Sequence, residues 1–108
     1  MTNPSKRDAA AKKVVSVARA VVMYQIGIPV GCQRMSRALI WLKAYEISLP
    51  AVFDEYLEET VGLPIGSERL EWDHEALRHK DITLENINQR FRDRLFETCW
   101  TLIDRLAE

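Results

Sequence analysis

Glycine and proline are scarce in this chain, four of each among 108 residues. With so few turn-makers, and with Ala, Leu, Arg and Glu abundant, long helices on short connections are favoured. Cysteine is nearly absent too. Cys32 and Cys99 are too few for a disulfide framework and too far apart for a local metal knuckle. They read as reduced thiols packed as small hydrophobes. Long apolar runs are missing: the longest, around Val14 to Val30, is interrupted by Ser16, Arg19, Gln25, Gly27 and Pro29. It falls short of the roughly 18 residues of a membrane span. The opening residues are polar and charged, with no apolar stretch leading to a small-residue cleavage site. They do not read as a secretory signal, so the expected location is the cytoplasm.

Catalytic and cofactor signatures are equally thin. There is no Gly-x-Ser-x-Gly elbow and no histidine near either cysteine in sequence. Gly27-x-x-x-Gly31 follows a helical pattern rather than a strand, so it is no phosphate loop. No cofactor is expected. His74, Glu75 and His79 resemble a zinc motif, but a five-residue separation turns the second imidazole about 140° from the first on a helix. Glu71, Glu75 and His79 do step by four, and read as a hydrated face rather than a metal site.

What the chain has is charge sorted by position. Met1 to Tyr45 carry eight bases against the single acid Asp8. Glu46 to Glu75 carry nine acids against the single base Arg69. The last third balances at six and six, and the net charge of -1 conceals the sorting. A focused acidic surface attracts a cationic partner and repels nucleic acid and anionic lipid. Basic residues do occur in groups (Lys6, Arg7, Lys12, Lys13 and Arg19; Arg90, Arg92 and Arg94), but the slightly acidic whole argues against a nucleic-acid role.

At 47% hydrophobic and 29% charged, the composition is that of a folded domain and excludes disorder. Residues 1–108 read as a single helical domain. Ser5 and Asp8 form a capping-box pattern for a helix to about Ile26, with Val14, Val17, Ala18, Val21 and Val22 on one face. Gly27 is the expected stop. A second helix is expected from Pro29 to Tyr45, with Met35, Ala38, Leu39 and Leu42 inward. Ser48, Leu49 and Pro50 restart the chain for a third helix to about Thr60. Gly62 to Ser67 is an ordered Gly/Pro loop. Ser67 is expected to cap a short turn through Glu71, and Asp73 another through His79 or Lys80, so Gly66 to Asp81 reads as a connector of broken helix. The last long helix is expected to start at Thr83, with Leu84, Ile87, Phe91, Leu95, Leu102 and Leu106 inward. The fold class is all-α, a small antiparallel bundle of four to five helices with the Gly/Pro loop before the last one.

Two resemblances bear on function. Arg69 and His74, with four residues between them, are similar to the loose R-x(4–6)-H motif of the HEPN family of helical domains, which often cleave RNA. That resemblance implies a histidine that moves a proton and an arginine that stabilises phosphate charge. Against it, Leu70 stands where that family usually has a polar residue, and Glu68, Glu71, Asp73 and Glu75 would repel a phosphodiester. The second rests on Leu63, Pro64, Gly66, Arg69, Trp72, Ala76, Leu77, Lys80 and Asp81. They match a pattern, roughly L-P-x-G-x-x-R-x-x-W-x-x-x-A-L-x-x-K-D, in small bacterial proteins of unknown function, some of which look like immunity partners of secreted toxins. That resemblance implies a non-catalytic protein that blocks a toxin domain. On the residues, the docking surface would be Asp54, Glu55, Glu58, Glu59, Glu68, Glu71, Asp73 and Glu75 against a basic cleft, with Trp72 as its central anchor. A third reading is an oligomerisation module that offers Ile40, Trp41, Phe96 and Trp100 to a second copy.

Overall fold

The computed structural model describes residues 4–45 and 49–107. Among them are four α-helices and no strand: α1 (Pro4–Val22), α2 (Ile28–Leu42), α3 (Val52–Glu59) and α4 (His74–Leu106). A short 3-10 turn, Ser67–Glu71, precedes α4. No described helix is long and apolar enough to cross a membrane. The molecule is elongated, 52 × 25 × 22 Å, as a 33-residue helix of about 50 Å requires.

α1 packs on both α2 and α4, and α3 packs on the same two helices from the other side. One continuous core results, built from Val14, Ala18, Met35, Leu42, Phe53, Tyr56, Leu95, Cys99 and Leu102 among others. Every apolar position named for the first two helices by their three- and four-residue steps is buried, apart from the half-buried Val17, and Val52, Phe53 and Tyr56 fill the inner face of α3. At the centre the Tyr56 hydroxyl donates to Asn88 Oδ1, and its ring meets Phe91 edge-on at 5.6 Å. A buried phenol needs such a partner, because an unpaired one would forfeit its hydration.

α1 ends at Val22, one turn before the Gly27 expected to stop it. The stop is Tyr24, which adopts a left-handed conformation with φ of 59°. Its N–H donates to the Val21 carbonyl and that of Gln25 to the Ala20 carbonyl, a Schellman arrangement. A non-glycine residue is disfavoured there. Contacts hold it: the Tyr24 ring lies 5.6 Å from Phe96, and Arg92 donates to its hydroxyl at 2.8 Å. Gly27 instead precedes α2 as its N-cap, and Pro29 occupies the first turn as expected. At Gly31 the lack of a side chain matters. A Cβ there would sit 2.5 Å from Val21 Cγ2, so α1 and α2 touch closely at this point.

α2 stops at Leu42 rather than Tyr45, where turn geometry takes over. Ser48 lies outside the described residues. α3 is shorter than expected, starting at Val52, and Thr60 closes it by donating its hydroxyl to the Tyr56 carbonyl. The larger correction concerns α4. It begins at His74, not Thr83, and absorbs half of the segment expected to be broken connector. Asp73 caps it, its Oδ1 accepting from the Ala76 N–H at 2.8 Å. The first ten residues of α4 bury no side chain fully; Leu84 is the first that does. A solvated helical segment needs no apolar stripe, so periodicity could not reveal it.

Candidate partner-binding surface

The acidic segment divides into two groups. α3 carries the first. Its buried face (Val52, Phe53, Tyr56) fixes the opposite face to water, and Asp54, Glu55, Glu58 and Glu59 line it. Three of these already have partners. Asp54 Oδ1 accepts from the Ser36 hydroxyl on α2 at 2.9 Å. Glu55 pairs with Arg94 at 2.6 Å and Glu59 with Arg90 at 3.1 Å, both on α4. These two arginines also lie over the Phe91 ring. None of Lys12, Lys13, Arg19, Arg34 and Arg37 makes an ion pair among the described residues, so these five cations do not neutralise the acids of α3 and the 3-10 turn.

The second group sits on the 3-10 turn and the first turn of α4. Glu68 bends back, and its Oε1 accepts from the Ile65 N–H at 3.1 Å. Backbone N–H groups of Glu68 itself, Gly66 and Ile65 hold its carboxyl below the usual carboxylate range, aided by the nearby Arg69 charge. Asp73 is the helix cap. Glu71 and Glu75 are exposed and have no cationic partner among the described residues. Along α4 the fifteen residues from Glu75 to Arg90 span about 22 Å, so the two acidic groups occupy different levels of the molecule.

Trp72, expected as the central anchor, is half-buried. The apolar side chain that stands out is Leu70, 89% exposed among Glu68, Glu71 and Asp73. Nothing in the sequence marks Leu70 as the exposed one beside Leu63 and Ile65, which are half-buried. Only the placement of the 3-10 turn turns it outward.

Arg69 holds the turn in place. Its Nη1 donates to Asp81 Oδ1 at 2.7 Å and to the Pro64 carbonyl at 2.9 Å, while Nη2 donates to Asp81 Oδ2 at 2.9 Å. This two-pronged geometry is the strong form of the arginine–carboxylate pair. It lifts the Arg69 guanidinium above its ordinary value and holds the Asp81 carboxyl below its own, through the shared hydrogen bonds first. Arg69 and His74 line one shallow groove with Leu77, Arg78, Asp81 and Ile82. The groove thus brings the two together, with the guanidinium fork directed at Asp81 rather than at open solvent. Asp81 as the partner of Arg69 had one signal in sequence: both belong to the loop pattern.

Of the apolar residues offered to a second copy, Ile40, Trp41 and Trp100 are exposed. Phe96 is half-buried under Arg92, whose guanidinium lies 4.9 Å from the ring centre. Cys32 and Cys99 are both free and buried. No group of three or more His, Cys, Asp and Glu among the described residues is placed to hold a metal ion. Compared with family profiles, with curated proteins and with solved structures, the chain finds no match.

Proposed function

We propose that the chain is an antiparallel helical bundle that acts by binding another protein, as an immunity-type partner that covers the basic cleft of a toxin domain without catalysis. The observation that carries this reading is the corner formed by the 3-10 turn and the start of α4. There Glu71, Asp73 and Glu75 face water around the protruding Leu70. An apolar knob with a like-charged rim suits a docking point: the knob desolvates on contact, and the rim steers a cationic partner during approach. Glu58 on α3 adds the same sign of charge at the other level of the molecule. The loop pattern shared with small immunity-like bacterial proteins falls on this corner and supports the reading. In that setting Arg69 serves to shape the loop.

The test is binding of the purified chain to a toxin domain encoded beside its gene. A nanomolar complex whose association slows at least about tenfold from low to high salt is expected. Glu71→Lys with Glu75→Lys should slow association, and Leu70→Ala should speed dissociation. A complex indifferent to salt and to these changes would remove the acidic corner from the mechanism. RNA cleavage by the purified chain, abolished in His74→Ala, would replace this reading with the ribonuclease one.

A further inference from the structure

The outer face of α2 has no partner within the molecule. Gly31, Cys32, Met35, Ala38, Leu39 and Leu42 turn inward. The opposite side therefore presents Arg34, Arg37, Ile40 and Trp41, and all four are exposed. Trp41 is 70% exposed and Ile40 66%. Neither arginine is paired among the described residues. α1 adds to this face. Val21 meets Gly31, and the short turn from Met23 to Gly27 makes numbering fall along α1 as it rises along α2. Lys13, Val17 and Val21 step by four, so Lys13 lies on the rim of α1 toward α2, level with Leu39. Arg37 and Arg34, four and seven residues before Trp41 on α2, share its face, and Lys13 lies on the neighbouring rim of α1.

We propose that this face docks the acidic corner of a second copy of the chain, head to tail. The two surfaces are complementary in charge and in relief: Leu70 rimmed by Glu71, Asp73 and Glu75 on one copy, Trp41 and Ile40 rimmed by cations on the other. They point to opposite ends of the long axis. The α1–α2 turn lies level with Glu85 to Phe96 of α4. From Glu85, α4 runs about 16 Å further to its start at His74. From Gly31, α2 runs about 15 Å the other way to Trp41. One molecule cannot bring its own two faces together, whereas a second copy can. The contact is heterologous, so it leaves one acidic corner and one basic face open at the ends of every assembly and permits further addition.

The acidic corner is the one assigned to a toxin above, but this inference does not depend on a toxin. It is tested on the purified chain alone, so either reading can fail while the other stands. Sedimentation velocity at low salt should show mass rising with concentration, and high salt should return a monomer. Arg34→Glu/Arg37→Glu and Glu71→Lys/Glu75→Lys, each with unchanged helical circular dichroism, should each be monomeric alone. Mixed, they should associate, because the acidic corner intact in the Arg34→Glu/Arg37→Glu chain meets the basic face intact in the Glu71→Lys/Glu75→Lys chain. Trp41→Ala should weaken self-association at least about tenfold, as removal of a central anchor does. A wild-type chain that stays monomeric at low salt overturns the proposal, as does a mixture that stays monomeric, or a double variant that dimerises by itself. Binding of wild-type monomer to anionic lipid vesicles or to a labelled RNA oligomer, without self-association, would assign the face to a polyanion and likewise overturn it.

Discussion

At single positions the structure makes its sharpest demands. Gly31 sits where an added methyl would collide with Val21. Gly31→Ala should therefore cost about 1–3 kcal/mol in urea unfolding, the usual penalty for overpacking. The Tyr56–Asn88 pair is similar in kind. Asn88→Ala strands a buried hydroxyl and should cost about 1–3 kcal/mol, while a double-mutant cycle with Tyr56→Phe should show a strong coupling. The buried cysteines give a pH prediction. Burial pushes the Cys99 thiol up from 9.0 to about 11, and raises Cys32 as well, with the nearby Cys99 contributing. A thiol whose pKa is higher in the folded state favours folding fully below its unfolded pKa. That contribution is lost as pH rises through the folded value. The midpoint of thermal unfolding should thus fall steeply between pH 9.0 and about 11. A Cys32→Ala/Cys99→Ala variant should show a shallower decline. Tyr24 shows what sequence conceals at this scale: its left-handed backbone depends on Phe96 and Arg92, far away in the chain.

Among the elements, α4 is the informative one. Its C-terminal two-thirds are held by core side chains, and its first ten residues by a cap and one ion pair. Asp73→Ala should cost about 1 kcal/mol, the ordinary value of a lost N-cap. Arg69→Ala should free the loop from Pro64 to Glu71 without unfolding the core. Amide hydrogen exchange should show protection lost in that loop and in the first turns of α4, and retained from Leu84 onward. Acid should do the same as the mutation. The Asp81 carboxyl is held below its ordinary 3.8 by Arg69, so its contribution is present above that value. It disappears as pH falls through the lower, folded one. The existence, order and inward faces of the helices were legible, because Leu, Val and Phe recur at helical spacing in each. The start of α4 was not, because Asp73 to Thr83 bury nothing to mark a stripe. Asp73 itself was legible as a cap. What misled was the firmer apolar periodicity that begins at Leu84.

The whole molecule keeps the segregation of charge written in its sequence. Lys12, Lys13, Arg19, Arg34 and Arg37 do not cross to the acids of α3 and the 3-10 turn among the described residues. Instead Arg90 and Arg94, from the balanced last third, meet Glu59 and Glu55. Those pairs are exposed and screened, so Arg90→Ala and Arg94→Ala should each change stability by less than about 1 kcal/mol. The acidic surface was legible as composition. Its division between two levels was not, because nothing local to Glu55 or Glu59 announces an arginine some thirty or forty residues away.

Arg7 and Asp8, near the start of α1, share a cavity with Arg105, Leu106 and Ala107 at the close of α4. The two helices thus border one open groove that runs along α1 to the close of α4. A few flexible residues would bridge it. The loop at Gly62, where an added side chain would meet nothing within 4 Å, offers a spot to open new ends. Such a circular permutant should retain the same helices in a different order, with its new ends in the loop that leads from α3 to the 3-10 turn.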